Sequence, residues 1–315
     1  MPPPLLAIVG ATATGKTALA IDLARRFDGE IVNADSRQIY RGMDLGTAKP
    51  TQDEQQQTRH WLIDIIAPDE AFTLAAYLDL ASAAIADITR RGRLPIAVGG
   101  TGQYAWALLE GWRLPRVPPD RALRAELEAL AERDGADAVF ALLEREDAPS
   151  AAAIDRRNVR RVIRAIEVTR ATGRPFSAWR EKRETGYQST IIGLRLDRDA
   201  LHRRVDARVE EMMADGLVEE VQRLNAAGYP CDLRSMNSIG YRQICEYLGG
   251  GCTLDAAVAR IKTETHRLVR MQRAWFQPED PRIHWLDADA PDLVDRAARI
   301  TEAAALPDSR SGAVS

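Results

Sequence analysis

The chain has 315 residues, 45% of them hydrophobic and 28% charged, ordinary values for a soluble globular protein large enough for one domain with an insertion or for two domains. A net charge of −3 excludes the whole chain as an electrostatic match for nucleic acid, so any basic surface must be local. No apolar run is long enough to span a membrane, and the start MPPPLLAIVG has no basic region before its short apolar stretch, which together point to a cytoplasmic protein without a membrane partner.

In chain order, LLAIV (5–9) predicts a short buried strand and GATATGKT (10–17) a Gly-x4-Gly-Lys-Thr loop opening a helix with apolar residues at Leu19, Ile21 and Leu23. EIVNA (30–34) and LPIAV (94–98) are further strands, with a helix over roughly 73–91 between them. That strand–helix alternation predicts an α/β fold: a P-loop NTPase-like parallel sheet flanked by helices. LPRVPPD (114–120) is Pro-rich, and no strand pattern occurs from about 115 to 188, so an all-helical insertion is expected there. Strand patterns return at TIIGLRL (190–196) and RIHWL (282–286), around a helical block over 198–275 broken near 228–230 and 248–251. The expected organisation is a core of 1–114 and 190–305, an insertion of 115–189 and a disordered tail of 306–315. Cys231, Cys245 and Cys252 are odd in number and lack Cys-x-x-Cys spacing, which argues against a disulfide framework or zinc site and fits a reducing compartment.

The loop spacing has a mechanical reason. Gly10 and Gly15 let the backbone wrap a phosphate, the amides of Thr12, Ala13 and Thr14 join the helix N-terminus in favouring an anion, Lys16 adds a point charge, and the Thr17 hydroxyl suits Mg²⁺. The motif does not choose the chemistry. A nucleotide or small-molecule kinase usually adds a carboxylate at the end of a second apolar strand. Here LPIAV ends in Gly-Gly-Thr, and Asp64 lies in WLIDI (61–65), a poorer strand. Asp35 follows the second strand and should open onto the same crevice as the loop; on position alone a turn-capping role is equally supported. Arg157, Arg160, Arg161 and Arg164 share one helix face, about 200° from an apolar stripe of Val159, Val162, Ile163 and Ile166. Such a stripe is either a phosphate-binding surface or a solvated face with ion pairs. A second basic run is Arg260, Lys262, Arg267, Arg270 and Arg273.

The block DSRQ-I-YRGMD-L-GTAKP (35–50), with GxTxxGKT before it and GGTGxY after it, resembles the tRNA dimethylallyltransferase (tRNA isopentenyltransferase) family. NVRRVIRAIEV (158–168), GLVEEV (216–221), IGYRQ (239–243) and DPRIHWLD (280–287) agree, so the resemblance covers about residues 5–287. The chain departs from the family where ETHRLVRMQRAWF replaces the more usual TRQxAKRQxTWF pattern. The resemblance implies transfer of a dimethylallyl group from dimethylallyl diphosphate to the exocyclic N6 amine of the adenosine 3′-adjacent to the anticodon of tRNA. It implies that Asp35 is the general base and that Thr101 hydrogen-bonds the bridging oxygen of the pyrophosphate. Lys16, Thr17 and the loop would hold the pyrophosphate with Mg²⁺, aided by Arg204 and Arg208. Ser36, Arg37, Gln38, Asn237, Ser238, Gly240, Tyr241 and Arg242 would contact the tRNA, as would the insertion through Arg160, Arg161 and Arg164. A monomer is expected.

Overall fold

The computed structural model describes residues 2–179 and 185–305; the expected disordered tail lies outside the described residues. The described residues divide into two compact units, 2–109 with 185–305, and 110–179.

The larger unit is built on one six-stranded sheet with the order β3-β2-β4-β1-β5-β6. Its strands are β1 (Pro4–Gly10), β2 (Gly29–Asn33), β3 (His60–Trp61), β4 (Leu94–Gly99), β5 (Gln188–Arg195) and β6 (Ile283–Asp287). All neighbours pair in parallel, so the carboxyl ends of β2, β4 and β1 lie side by side. The near-continuous apolar runs of β1 and β4 fit strands buried on both faces. The poorer strand expected over 61–65 is confined to the two residues of β3, because Leu62 and Asp64 adopt positive φ of 64° and 57°, which no strand accommodates.

One face of the sheet is covered by α1 (Lys16–Arg26) and α13 (Leu293–Ala305), whose Leu19, Leu23, Ala297 and Ala298 pack with Ile8, Ile96 and Ile192. Another core joins Ile39, Tyr40 and Met43 to α10 (Leu217–Ala226), α11 (Tyr241–Leu248) and α12 (Leu254–Trp275). The helical block over 198–275 is thus four helices, counting α9 (Arg198–Ala214). Side chains of Asp197 and Thr253 cap α9 and α12 by accepting from backbone amides two to three residues on, the role that keeps Asp and Thr out of helix interiors. Also present are α2 (Gln52–Gln57), α3 (Leu74–Arg90) and α4 (Gly102–Leu109).

Among its described residues the regular elements of the smaller unit are all helical: α5 (Arg121–Asp134), α6 (Ala136–Glu146), α7 (Ala148–Ala153), α8 (Val159–Thr172) and a short 3-10 turn, Phe176–Trp179; 110–120 is an irregular lead-in. Val162, Ile163 and Ile166 of α8 pack with Val139, Phe140 and Leu143 of α6. Glu167, 1% exposed, anchors this unit. It accepts from both Nε and Nη2 of Arg124 at 2.8 Å, from the Asp120 amide at 2.7 Å and from Arg164.

The cysteine reading needs correction. Cys231 and Cys245 form a disulfide with Cα atoms 5.7 Å apart, and Cys252 is free. Spacing arithmetic finds sites in which the ligands or partners are close in sequence. Here the turn-rich chain over 227–240 folds back and brings Cys231 to the first turns of α11.

Candidate active site

The site starts with the loop between β1 and α1. Gly10 has φ 141°, and a Cβ there would lie 2.6 Å from the Leu194 carbonyl oxygen of β5, so only glycine lets the central strand turn out of the sheet at this point. Ala13 continues with φ 63°. Thr14, 1% exposed, donates its hydroxyl to the Ala11 carbonyl at 2.8 Å. The Lys16 ammonium rests on the same carbonyl at 2.6 Å. Burial lowers its pKa to about 8; Asp35 opposes that shift and Arg208 adds to it.

Asp35 sits two residues beyond β2. Buried Asn33, 3% exposed, accepts from the Asp35 amide at 3.0 Å and donates to the Asp35 and Leu62 carbonyls at 3.1 and 3.0 Å. The strand end is thereby fixed by a side chain as well as by the backbone bond from the Ala34 amide to the Val98 carbonyl at 2.7 Å. Burial raises the Asp35 pKa, and the Arg37 amide, which donates to Oδ1 at 2.8 Å, limits the rise together with Lys16. The Asp35 carboxylate is therefore more basic than an exposed one, with the charges of Lys16 and Arg37 partly offsetting the rise.

Thr101 follows β4, the neighbour of both β2 and β1. Its Oγ1 accepts from the Ser36 amide at 3.0 Å and lies 3.3 Å from the Ser36 hydroxyl, to which it donates. These elements open onto one cleft of about 480 Å³. Thr12, Ala13, Asp35, Ser36, Arg37, Thr101, Arg208, Asn237, Ser238 and Gly240 all line it. Its other wall is apolar and comes from α9 and α12, including Val205, Val209, Ile261, Leu268, Met271 and Trp275. Met271 and Trp275 are 58% and 44% exposed, unusual for side chains of their size.

Other expected contacts are engaged elsewhere. The Thr12 amide donates to Gln272 Oε1 at 2.8 Å. Gln38 donates to the Thr47 and Ala48 carbonyls at 3.2 and 2.9 Å, bracing the loop that carries Gly46 into the cleft wall. Tyr241 is fully buried and donates its hydroxyl to Glu220 at 2.6 Å; Glu220 in turn accepts from the Leu45 amide at 3.0 Å. Arg204 pairs with Asp289 and Arg242 with Glu264. Gly15 and Thr17 bracket the start of α1. In the smaller unit, Arg160 and Arg161 are exposed, while half-buried Arg164 donates to Glu167 and to the Val117 carbonyl at 3.0 Å. Lys49 of the GTAKP segment is almost wholly buried and binds Asp44, Asp64 and the Tyr40 carbonyl, which ties Asp64 to the loop.

Sequence reasoning missed the apolar wall and Gln272. A signal is present: Ile261, Thr265, Leu268, Gln272 and Trp275 recur at helical spacing along α12 and all line the cleft. The basic residues interleaved with them are the more conspicuous pattern.

The IPP transferase family model matches residues 38–279. The chain is 55% identical to the tRNA dimethylallyltransferase of Roseiflexus sp. (strain RS-1), over 94% of this chain and 97% of that one. It is 52% identical to the enzyme of the same name from Chloroflexus aurantiacus, over 87% and 92%. Among solved structures, the full-length tRNA isopentenylpyrophosphate transferase of Bacillus halodurans superposes with a TM-score of 0.71 at 38% identity, covering 96% of each chain. A eukaryotic dimethylallyltransferase described as acting on tRNA gives a TM-score of 0.83 at 25% identity, covering 95% of this chain and 79% of that one. A P-loop cleft with a half-buried aspartate, a threonine on the adjacent strand end and an apolar wall, joined to these matches over nearly the full length, means that the chain belongs to the IPP transferase family.

Proposed function

We propose that the protein is a tRNA dimethylallyltransferase. It transfers a dimethylallyl group from dimethylallyl diphosphate to the N6 amine of the adenosine 3′ to the anticodon and releases pyrophosphate. The observation that carries this is the cleft itself: a phosphate loop, a half-buried carboxylate and an apolar wall meet in one space. The pyrophosphate lies in the loop against Lys16 and Arg208, and the five-carbon group lies along Met271, Leu268 and Trp275. The N6 nitrogen attacks the allylic carbon as the carbon–oxygen bond breaks; the electron pair of that bond leaves with the pyrophosphate, and the N6 proton passes to Asp35. Lys16, Arg208 and the loop amides stabilise the charge that builds on the leaving group. Thr101 turns its hydroxyl proton from Ser36 to the bridging oxygen.

The oxygen donors here suit Mg²⁺: Thr17 and the phosphate oxygens would hold it, with water completing its shell. When bound, it neutralises charge on the departing pyrophosphate. A base stacked in an anticodon loop cannot enter a cleft of this depth, so the adenosine is flipped out. Arg37, Asn237 and Ser238 at the cleft, and Arg160 and Arg161 of the smaller unit, take the RNA. No helix among the described residues is long and apolar enough to cross a membrane; the protein acts as a monomer in the cytoplasm, where its RNA is. The kinase alternative lacks support, since β4 ends without a carboxylate and Asp64 is held by Lys49.

The deciding experiment incubates the purified protein with Mg²⁺ and unmodified tRNA, adding dimethylallyl diphosphate in one arm and ATP in the other, with mass spectrometry of the digested nucleosides. A prenylated adenosine in the first arm alone is expected. ATP consumption on a small acceptor, without a modified nucleoside, would make the protein a kinase.

A further inference from the structure

Gln272 is a polar side chain, 7% exposed, in the stripe of α12 that faces the cleft. Its amide makes two hydrogen bonds. Oε1 accepts from the Thr12 amide at 2.8 Å, and Nε2 donates to the Gly100 carbonyl at 3.0 Å. Only one orientation of the amide satisfies both partners, because a backbone N–H must donate and a backbone carbonyl must accept.

These two partners stand on the walls between which the pyrophosphate must fit. Thr12 belongs to the phosphate loop, and Gly100 directly precedes Thr101. The backbone ladder between β1 and β4 ends with the pair Val9 and Gly99. Beyond it the two chains part, one into the loop and the other toward Thr101. A side-chain amide has the same donor and acceptor as a peptide group, so Gln272 adds one further rung from outside the sheet. Position 100 is shaped for it: a Cβ at Gly100 would lie 2.4 Å from Gln272 Nε2.

We propose that Gln272 is a positioning residue that sets the separation between the phosphate loop and Thr101, and thereby the affinity for the diphosphate. The proposal rests on the cleft being a diphosphate site. It also removes the Thr12 amide from phosphate binding and leaves that role to the amides that follow it in the loop. The neutral Gln272→Met variant keeps the volume and loses both bonds. Gln272→Glu keeps an acceptor for Thr12 but sets a carboxylate oxygen against the Gly100 carbonyl. Protonation of that carboxylate restores a donor and rebuilds the rung.

The test uses the full chain. KM for dimethylallyl diphosphate and for tRNA are measured separately, and the affinity for inorganic pyrophosphate with Mg²⁺ is measured by calorimetry. Gln272→Met is expected to raise the diphosphate KM and weaken pyrophosphate binding by about tenfold, with the tRNA KM within about twofold of the parent. Gln272→Glu is expected to show a larger defect that shrinks, relative to the parent at each pH, as the pH falls. Gly100→Ala, which pushes the amide aside from the opposite wall, should reproduce the Met variant and covers the case in which that variant fails to fold. Unchanged pyrophosphate affinity in the Met and Ala variants would overturn the proposal. So would equal losses for both substrates, which would make Gln272 a general packing residue. If the parent binds pyrophosphate but prenylates no tRNA, the assigned reaction fails while the calorimetry still decides the role of Gln272.

Discussion

Lys16 titrates in an accessible range, and this makes the phosphate loop testable by pH alone. Burial, with Arg208 adding to it, brings its pKa from 10.5 to about 8. At pH 7 about nine-tenths of the free protein carries the charge; at pH 9 about one-tenth does. The terminal ionisation of a phosphate ester falls near 6, so above pH 7 the ligand is constant and only the protein changes. If the neutral amine does not hold the diphosphate, kcat/KM for dimethylallyl diphosphate should fall roughly tenfold between pH 7 and 9, with saturating tRNA throughout. The folded pKa is depressed, so the charged form destabilises the free protein at and below pH 8, by about 3 kcal/mol. That cost is relieved as the pH rises from about 8 toward 10.5. Lys16→Met should therefore stabilise the ligand-free protein at pH 7 by about 1–3 kcal/mol while abolishing transfer, and its melting point should no longer rise between about pH 8 and 10.5. A flat kcat/KM over that range, or a Met variant less stable than the parent at neutral pH, would refute the account of Lys16 as a half-buried cation poised for a phosphate.

Asp35→Asn removes the base but keeps the acceptor that the Arg37 amide uses; kcat should drop by about 10²–10⁴ with tRNA affinity within about twofold, and near-normal turnover would remove Asp35 from the chemistry. Tyr241→Phe leaves the buried Glu220 without one of its donors, so unfolding free energy should fall by about 1–2 kcal/mol in a denaturant titration; a loss of tRNA affinity without loss of stability would instead make Tyr241 an RNA contact. Reversing the charge of Arg160 and Arg161 should weaken tRNA binding and flatten its dependence on salt, by about 0.7–0.9 in log–log slope for each phosphate that is no longer neutralised. An unchanged binding curve would return that face to ordinary solvation.

The parts of the fold set by local pattern were legible. The apolar runs at 5–9, 30–34, 94–98, 190–196 and 282–286 all became strands of one sheet; burial on both faces demands such runs in the central strands, and the edge strand β6 keeps only Ile283 and Leu286 buried. That the loop and Asp35 open onto one cleft was legible, because both follow the carboxyl ends of parallel strands; position alone did not separate a site role for Asp35 from a turn cap. What periodicity could not separate were residues that share a helix face and differ in their partners. Arg160, Arg161 and Arg164 read alike, yet Arg164 meets Glu167 one turn on, and Glu167 also pairs with Arg124 of α5. The disulfide and the Gln272 bridge were invisible for the same reason: each joins segments whose proximity exists only after the turn-rich chain over 227–240 or the far end of α12 has been placed. Gln38 and Lys49 illustrate a further limit. They lie in the most specific motif of the chain, and their side chains hold that motif's backbone in shape.

The strand order carries a consequence for how the protein is made. The loop over 10–17 hangs from β1, and β1 lies between β4 and β5. One flank of β1 is supplied within roughly the first hundred residues by Leu94–Gly99; the other is supplied only by Gln188–Arg195. The 110–184 unit, with its own core, emerges in between. During translation the central strand thus waits for its second neighbour for roughly 10–40 s at ordinary synthesis rates, with unpaired amides and apolar side chains open to misassociation. The helical unit is complete just before β5, and α12, which lines the cleft, follows only at Leu254–Trp275. For a protein whose substrate crowds around every ribosome, the late arrival of β5 delays catalytic competence until most of the chain is out.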